Sequence, residues 1–298
     1  MATEQRALQV TIVATLLLAS TGIAFGLYAG SQSIVFDGLF NAIDSGMAGL
    51  SLLVSRLLLK QPGRRFQRGY WHIEPMVLAL YGSVLVILCV YALVNSIDGL
   101  MRGGQELAFD EVIVYALVTA LGSGLMYGYL RRCNRRLRSE LIQIDLHSWL
   151  MSTSISLALL LAFSTGYLLQ GSQYEALTPY IDPLILALLT LGLIPAPCRT
   201  VWRAAKQILR ITPTKLDGEI AGLMAGMSQR YGFESFSHCV SRIGRGLFVE
   251  IHILLPAAMN HWPVSDLDDV RAEIAAAIGS EGPNRWLAIG FTRDKRWL

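Results

Sequence analysis

Six long apolar runs fill the first two-thirds of the chain, near 7–29, 33–58, 75–101, 111–131, 143–169 and 180–208. Each can cross a bilayer as a helix, which takes about 20 residues. The first run is too long and too weakly flanked by positive charge for a cleaved signal peptide. It also lacks a small-residue cleavage pattern, so it reads as a retained span. Pro195 and Pro197 fall inside the sixth run, where each removes a backbone donor and bends the helix. Near Thr212-Pro213 the pattern changes. Residues 215–230 alternate at helical spacing, and Leu247 to Leu254 carries its polar members at period two, the mark of a half-buried strand. Ser265 followed by Asp268 marks a helix start running to about Ile278, and Trp286 to Phe291 reads as a last strand. The expectation is an α-helical membrane protein with six transmembrane helices over 1–211. A small α+β domain with helices on one face of a sheet occupies 212–298.

Composition agrees. Only 16% of residues are charged and 53% are hydrophobic, against about 25% charged in soluble domains. The positive charges cluster in alternate loops. Lys60, Arg64, Arg65 and Arg68 lie between runs two and three, and Arg131, Arg132, Arg135, Arg136 and Arg138 between four and five. Arg199, Arg203, Lys206 and Arg210 follow run six, while the other loops hold only Arg102. This bias predicts both termini in the cytoplasm. It marks orientation rather than a nucleic-acid surface, so no nucleic-acid partner is expected. Cys89, Cys133, Cys198 and Cys239 show no metal or redox spacing and read as structural.

The second run carries the chemistry. Asp37, Asn41 and Asp44 interrupt it, although a carboxylate near a bilayer centre costs about 2.5–3.5 kcal/mol on insertion scales. Seven residues apart, Asp37 and Asp44 lie within about 20° of each other, with Asn41 on the same stripe. They are also about 10.5 Å apart along the axis, so one ion does not touch both. The three form a ladder, with Asp44 the deeper rung and Asp37 nearest the outer mouth. The fifth run holds Asp145 and His147, which point about 160° apart on a regular helix. Two stripes therefore compete to face Asp44: Asp145 with Ser148, Ser152 and Ser156, or His147 with Met151 and Ser154. Before the third span, Arg68-Gly69-Tyr70-Trp71-His72-Ile73-Glu74-Pro75 reads as an anchored helix start. His72 and Glu74 have a second reading, as a cytoplasmic gate for an entering cation.

These features resemble the cation diffusion facilitator family of divalent-metal transporters, over nearly the whole chain. The Asp37-Gly38 to Asp44 pattern followed by Gly69 to Pro75 is similar to a bacterial branch of cobalt, zinc and cadmium type. The Phe248 to His252 strand and the Asp182-Pro183 start of run six are similar too. Family members carry a His/Asp-x-x-x-Asp pair on span two and another on span five. Here Asp44 and His147 match one position of each pair, and Phe40 and Met151 occupy the others. Asp37, Asn41 and Asp145 are then the substitutes. His252 matches a metal-binding position of some members' cytoplasmic domains, without the histidines expected beside it.

The resemblance implies a ferredoxin-like cytoplasmic domain and a homodimer in the bacterial inner membrane. It implies no enzymatic activity and no resident cofactor. The expected function is export of a divalent cation from the cytoplasm by alternating access, with protons as counter-ion. Carboxylate and imidazole ligands must lose protons to bind metal, which suits one site to both species. An oxygen-rich site without thiolates argues against Cu(I) and leaves Zn, Fe, Co, Ni, Mn and Cd open. Two rivals stand beside this: a non-transporting scaffold or heterodimer partner with an incomplete metal site, and a channel or organic-cation carrier on a similar bundle.

Overall fold

The computed structural model describes residues 2–58, 69–137, 140–257, 262–279 and 285–298. Lys60, Arg64, Arg65, Arg68 and Arg138, used above for orientation, lie outside the described residues. The chain divides into two compact units, Met1–Leu52 with Leu80–Arg199, and Leu53–Ala79 with Thr200–Leu298.

The apolar runs become α1 (Ala2–Ala29), α2 (Gln32–Leu58), α3 (Ile73–Met101), α4 (Phe109–Leu137) and α5 (Glu140–Leu169). The sixth run becomes two pieces, α6 (Ile181–Leu193) and α7 (Pro195–Ile208). The break falls at Ile194, and Pro195 opens α7 at the position where a missing N–H costs least. Among the described residues five stretches are long and apolar enough to cross a membrane: those in α1, α3, α4 and α5, and the α6–α7 stretch. At 27 residues α2 is long enough as well, but its polar groups lower its apolar content. Side chains such as Leu17, Ile87, Leu125, Leu161 and Leu168 are exposed around the helices, an apolar surface that water does not tolerate and lipid does.

Two devices fix the start of α2 in the first unit. Gly22 and Gly26 of α1, one turn apart, meet α2 at backbone contact. A Cβ added at Gly38 would stand 2.6 Å from the Ile23 nitrogen and 2.8 Å from the Gly22 carbonyl carbon, and one at Gly26 would stand 2.6 Å from the Val35 nitrogen. Small residues at this spacing let helix backbones approach closely where lipid supplies no hydrophobic drive. The second device is Asp182 of α6, which is fully buried. Its carboxylate accepts from Ser31 Oγ at 2.6 Å, the Gln32 N–H at 2.9 Å, the Ser33 N–H at 3.4 Å and Ser33 Oγ. A side chain about 150 residues away in sequence thus caps the first turn of α2, satisfying donors that a helix N-terminus leaves orphaned.

In the second unit, α8 (Thr214–Tyr231), β1 (Ser235–Ile243), β2 (Gly246–Leu254), α9 (Val264–Ile278) and β3 (Arg285–Thr292) follow, with all but β1 where the sequence pattern places them. The sheet order is β1-β2-β3, with β1 antiparallel and β3 parallel to β2. Ile220 and Met224 of α8, Val249, Ile251 and Ile253 of β2, and Val270 and Ile274 of α9 share one core, so both helices cover the same face. The β1–β2 turn is gripped from two sides. Glu74 at the start of α3 accepts from the Arg245 N–H at 3.2 Å, and Gln207 Oε1 of α7 accepts from the Gly244 N–H at 3.0 Å. The Trp71 ring packs edge-on to Phe248, with centroids 5.2 Å apart.

The α1–α2 contact gives a direct test. Gly38→Val forces apart two backbones and is expected to cost about 1–3 kcal/mol as overpacking. Gly46→Ala, where nothing lies within 4 Å of the new Cβ, is expected to leave stability unchanged or slightly raised. Thermal unfolding of the two variants in detergent separates them, and equal melting points would remove the close-packing argument.

Candidate functional site

The polar ladder of α2 splits into two parts with different surroundings. Asp37 is 7% exposed. Asn41 Nδ2 donates to the Asp37 main-chain carbonyl at 2.9 Å and also hydrogen-bonds its carboxylate. Tyr115 of α4 is close enough to feel the Asp37 charge, and its ring stacks on Phe25 of α1 with centroids 4.7 Å apart. Asp37 and Asn41 therefore form a locally paired upper step, with the amide committed to its neighbour one turn back.

Asp44 is half-buried and looks elsewhere. Tyr81 of α3 donates its phenol hydroxyl to Asp44 Oδ1 at 2.8 Å. Asp145 of α5 is near enough to Asp44 for the two negative charges to act on each other, and Thr11 of α1 hydrogen-bonds the Asp145 carboxylate. The other oxygen, Asp145 Oδ2, is buried and has no hydrogen-bond partner among the described residues. Tyr81 of α3 thus reaches Asp44, and Thr11 of α1 reaches Asp145. His147 is on the exposed face of α5 with Leu150 and Met151. Of the two stripes open in the sequence, the one with Asp145 carries the carboxylate within electrostatic reach of Asp44.

Two carboxylates within electrostatic reach of each other, one with an orphaned oxygen, leave a deficit that a cation or a proton would lessen. Among the described residues no three His, Cys, Asp or Glu side chains converge to hold a metal ion. The oxygens around Asp44 come partly from hydroxyl groups instead. The remaining sequence-predicted residues, His72, Glu74 and His252, belong to the second unit. Glu74 is bound to the β1–β2 turn, His72 is exposed, and His252 is exposed on the sheet face opposite the helices, with its ring against Gly290.

Sequence reasoning missed Tyr81, Thr11 and the capping role of Asp182. A signal existed for the first: a tyrosine inside an apolar span has a hydroxyl that needs a partner. For Asp182 the hint was an acid opposite a Ser31-Gln32-Ser33 turn, which only tertiary contact joins.

The contrast between Asp145 and Asp182 is testable by stability. Asp182→Asn turns an amide toward donors that lose their acceptor, at about 1–3 kcal/mol for each one left unpaired. Its melting point in detergent is expected to fall. Asp145→Asn removes one of two like charges that act on each other. With chelator present its melting point is expected to rise, and a fall matching that of Asp182→Asn would contradict the assignment.

Comparison with known proteins places this architecture. The model of the cation efflux transmembrane domain matches residues 8–209. The manganese efflux system protein MneP of Bacillus subtilis is 25% identical over 133 residues, 45% of this chain and 44% of that protein. The magnetosome protein MamB is 30% identical over 104 residues in both Paramagnetospirillum magneticum and Magnetospirillum gryphiswaldense, 35% of each chain. The chain therefore spans less than half the length of these relatives. The domain match covers more than half of the chain and contains all the helices that carry Thr11, Asp37, Asp44, Tyr81 and Asp145. On that ground this multi-pass membrane protein belongs to the cation efflux, or cation diffusion facilitator, family.

Proposed function

We propose that the chain is a divalent metal cation transporter that exports its cargo from the cytoplasm by exchange for protons, through alternating access. The observation that carries this reading is the Asp145 carboxylate, within electrostatic reach of Asp44 and with one buried oxygen left unpartnered among the described residues. A divalent cation satisfies both groups at once, and protons do the same when the cation leaves. In this reading α2 is the sixth span, both termini are cytoplasmic, and the protein works as a homodimer in the bacterial inner membrane. Residues 1–211 form the transport domain, and residues 212–298 a ferredoxin-like dimerisation and regulatory domain. Asp37 with Asn41 is the step toward the outer mouth, and His72 with Glu74 stands at the cytoplasmic entrance.

The surroundings of Asp44 are oxygen from carboxylate, hydroxyl and phenol groups. Among the six metals left open by the sequence, such donors suit Mn(II), the ion named in the efflux relative MneP. The exposed position of His147 and the residues Phe40 and Met151 favour a second reading, a non-transporting partner of an active relative. Mn(II) uptake by vesicles containing this protein alone excludes it.

Asp44→Ala is expected to abolish Mn(II) transport in proteoliposomes while the dimer survives on gel filtration. Full activity in that variant would sink the site. Because the ligands bind metal only after losing protons, uptake is expected to slow as the pH on the metal side is lowered. Metal binding to the purified protein is expected to release protons into weak buffer. Uptake insensitive to pH would remove the exchange mechanism and leave a uniporter or channel.

A further inference from the structure

We propose that Tyr81 is the positioning residue of this site: its phenol holds one oxygen of Asp44 so that the other is the one presented to the cation. The inference rests on the transport reading above and adds a residue from α3. Among the described residues Tyr81 is the hydrogen-bond donor that Asp44 has, at 2.8 Å. Asn41, the nearest amide on α2, is committed to Asp37. Thr11 is committed to Asp145.

The need for such a donor follows from the chemistry of the side chain. The terminal torsion of an aspartate is broad and close to two-fold, so its backbone does not fix where the two oxygens point. A carboxylate has lone pairs for several partners. One strong O–H donor on Oδ1 therefore sets the plane of the group without using up Oδ2. Asp145 acts on Asp44 with a like charge, which in the absence of cation pushes the two carboxylates apart. The phenol anchors Asp44 against that push. It is also neutral, so it stabilises the charged carboxylate without competing with the cation as a fixed positive group would. Hydrogen-bond partners that orient ligands in this way cost about 10–100-fold in metal affinity when removed.

The test is Tyr81→Phe, which deletes one oxygen and keeps the ring. In proteoliposomes the KM for Mn(II) is expected to rise about tenfold with the maximal rate nearly unchanged. Calorimetric binding of Mn(II) to the detergent-purified protein is expected to show the same loss of affinity. A merely structural Tyr81 moves neither value, so an unchanged KM and Kd would overturn the proposal. A fall in maximal rate at constant KM would overturn it too, since the phenol would then act on the conformational step. Tyr81→Gln, which restores a donor, is expected to recover part of the affinity, and a variant no better than Tyr81→Phe would count against the hydrogen bond. The underlying reading fails separately: if Asp44→Ala transports normally, Asp44 is not the site, whatever Tyr81→Phe does.

Discussion

A carboxylate taken out of water has to be given donors, an opposite charge or a proton, and the bundle satisfies Asp182, Asp37, Asp44 and Asp145 to very different degrees. Asp182 is surrounded by two hydroxyls and two backbone N–H groups. Asp37 has the Asn41 amide. Asp44 has one phenol, and Asp145 has one hydroxyl and a bare oxygen. A saturated carboxylate has little left to offer a ligand and contributes rigidity. An undersaturated one costs stability and keeps its capacity to bind. The ranking separates the acid that builds the fold from acids left open to a ligand, a distinction that residue type alone does not make.

The saturated end of that ranking supports the other. Asp182 pins the α1–α2 turn, and Gly22, Gly26 and Gly38 let the two helices run at backbone contact immediately beyond it. With no Cβ between them, α2 has little freedom to rotate about its own axis near its start. Its polar stripe is thereby aimed. Asp37 is the neighbour of Gly38 and is buried with it, and Asp44 follows two turns on, where α3 and α5 supply Tyr81 and Asp145. The placement of the polar side chains of α2 descends from contacts made by residues that have almost no side chain.

Much of this was legible in the chain. Apolar runs of more than 20 residues leave little choice of element, so the helix boundaries were readable to within a few residues. The period-two pattern of Leu247 to Leu254 likewise marked β2. The choice between Asp145 and His147 was not legible. Both sit on plausible stripes of one helix, and nothing local distinguishes the face that meets α2 from the face that meets lipid. Tyr81 and Thr11 were hidden for a related reason: a single hydroxyl in an apolar run carries no periodic signal, and its role exists only where another helix passes. Glu74 was legible as a first-turn acid of α3, but its partner is a hairpin turn about 170 residues away.

The interruption at Ile194 has a mechanical meaning. Pro195 and Pro197 have no N–H to give, so the carbonyls of Leu191 and Leu193 lack the backbone bonds that would stiffen a continuous helix. Bending there meets less resistance than elsewhere, since only the bonds from Ile194 N–H to Thr190 and from Cys198 N–H to Ile194 flank the missing ones. The α6 segment is anchored by Asp182. A helix held at one end and followed by a soft joint turns a push beyond the joint into a change of angle there, and leaves the anchored end where it was.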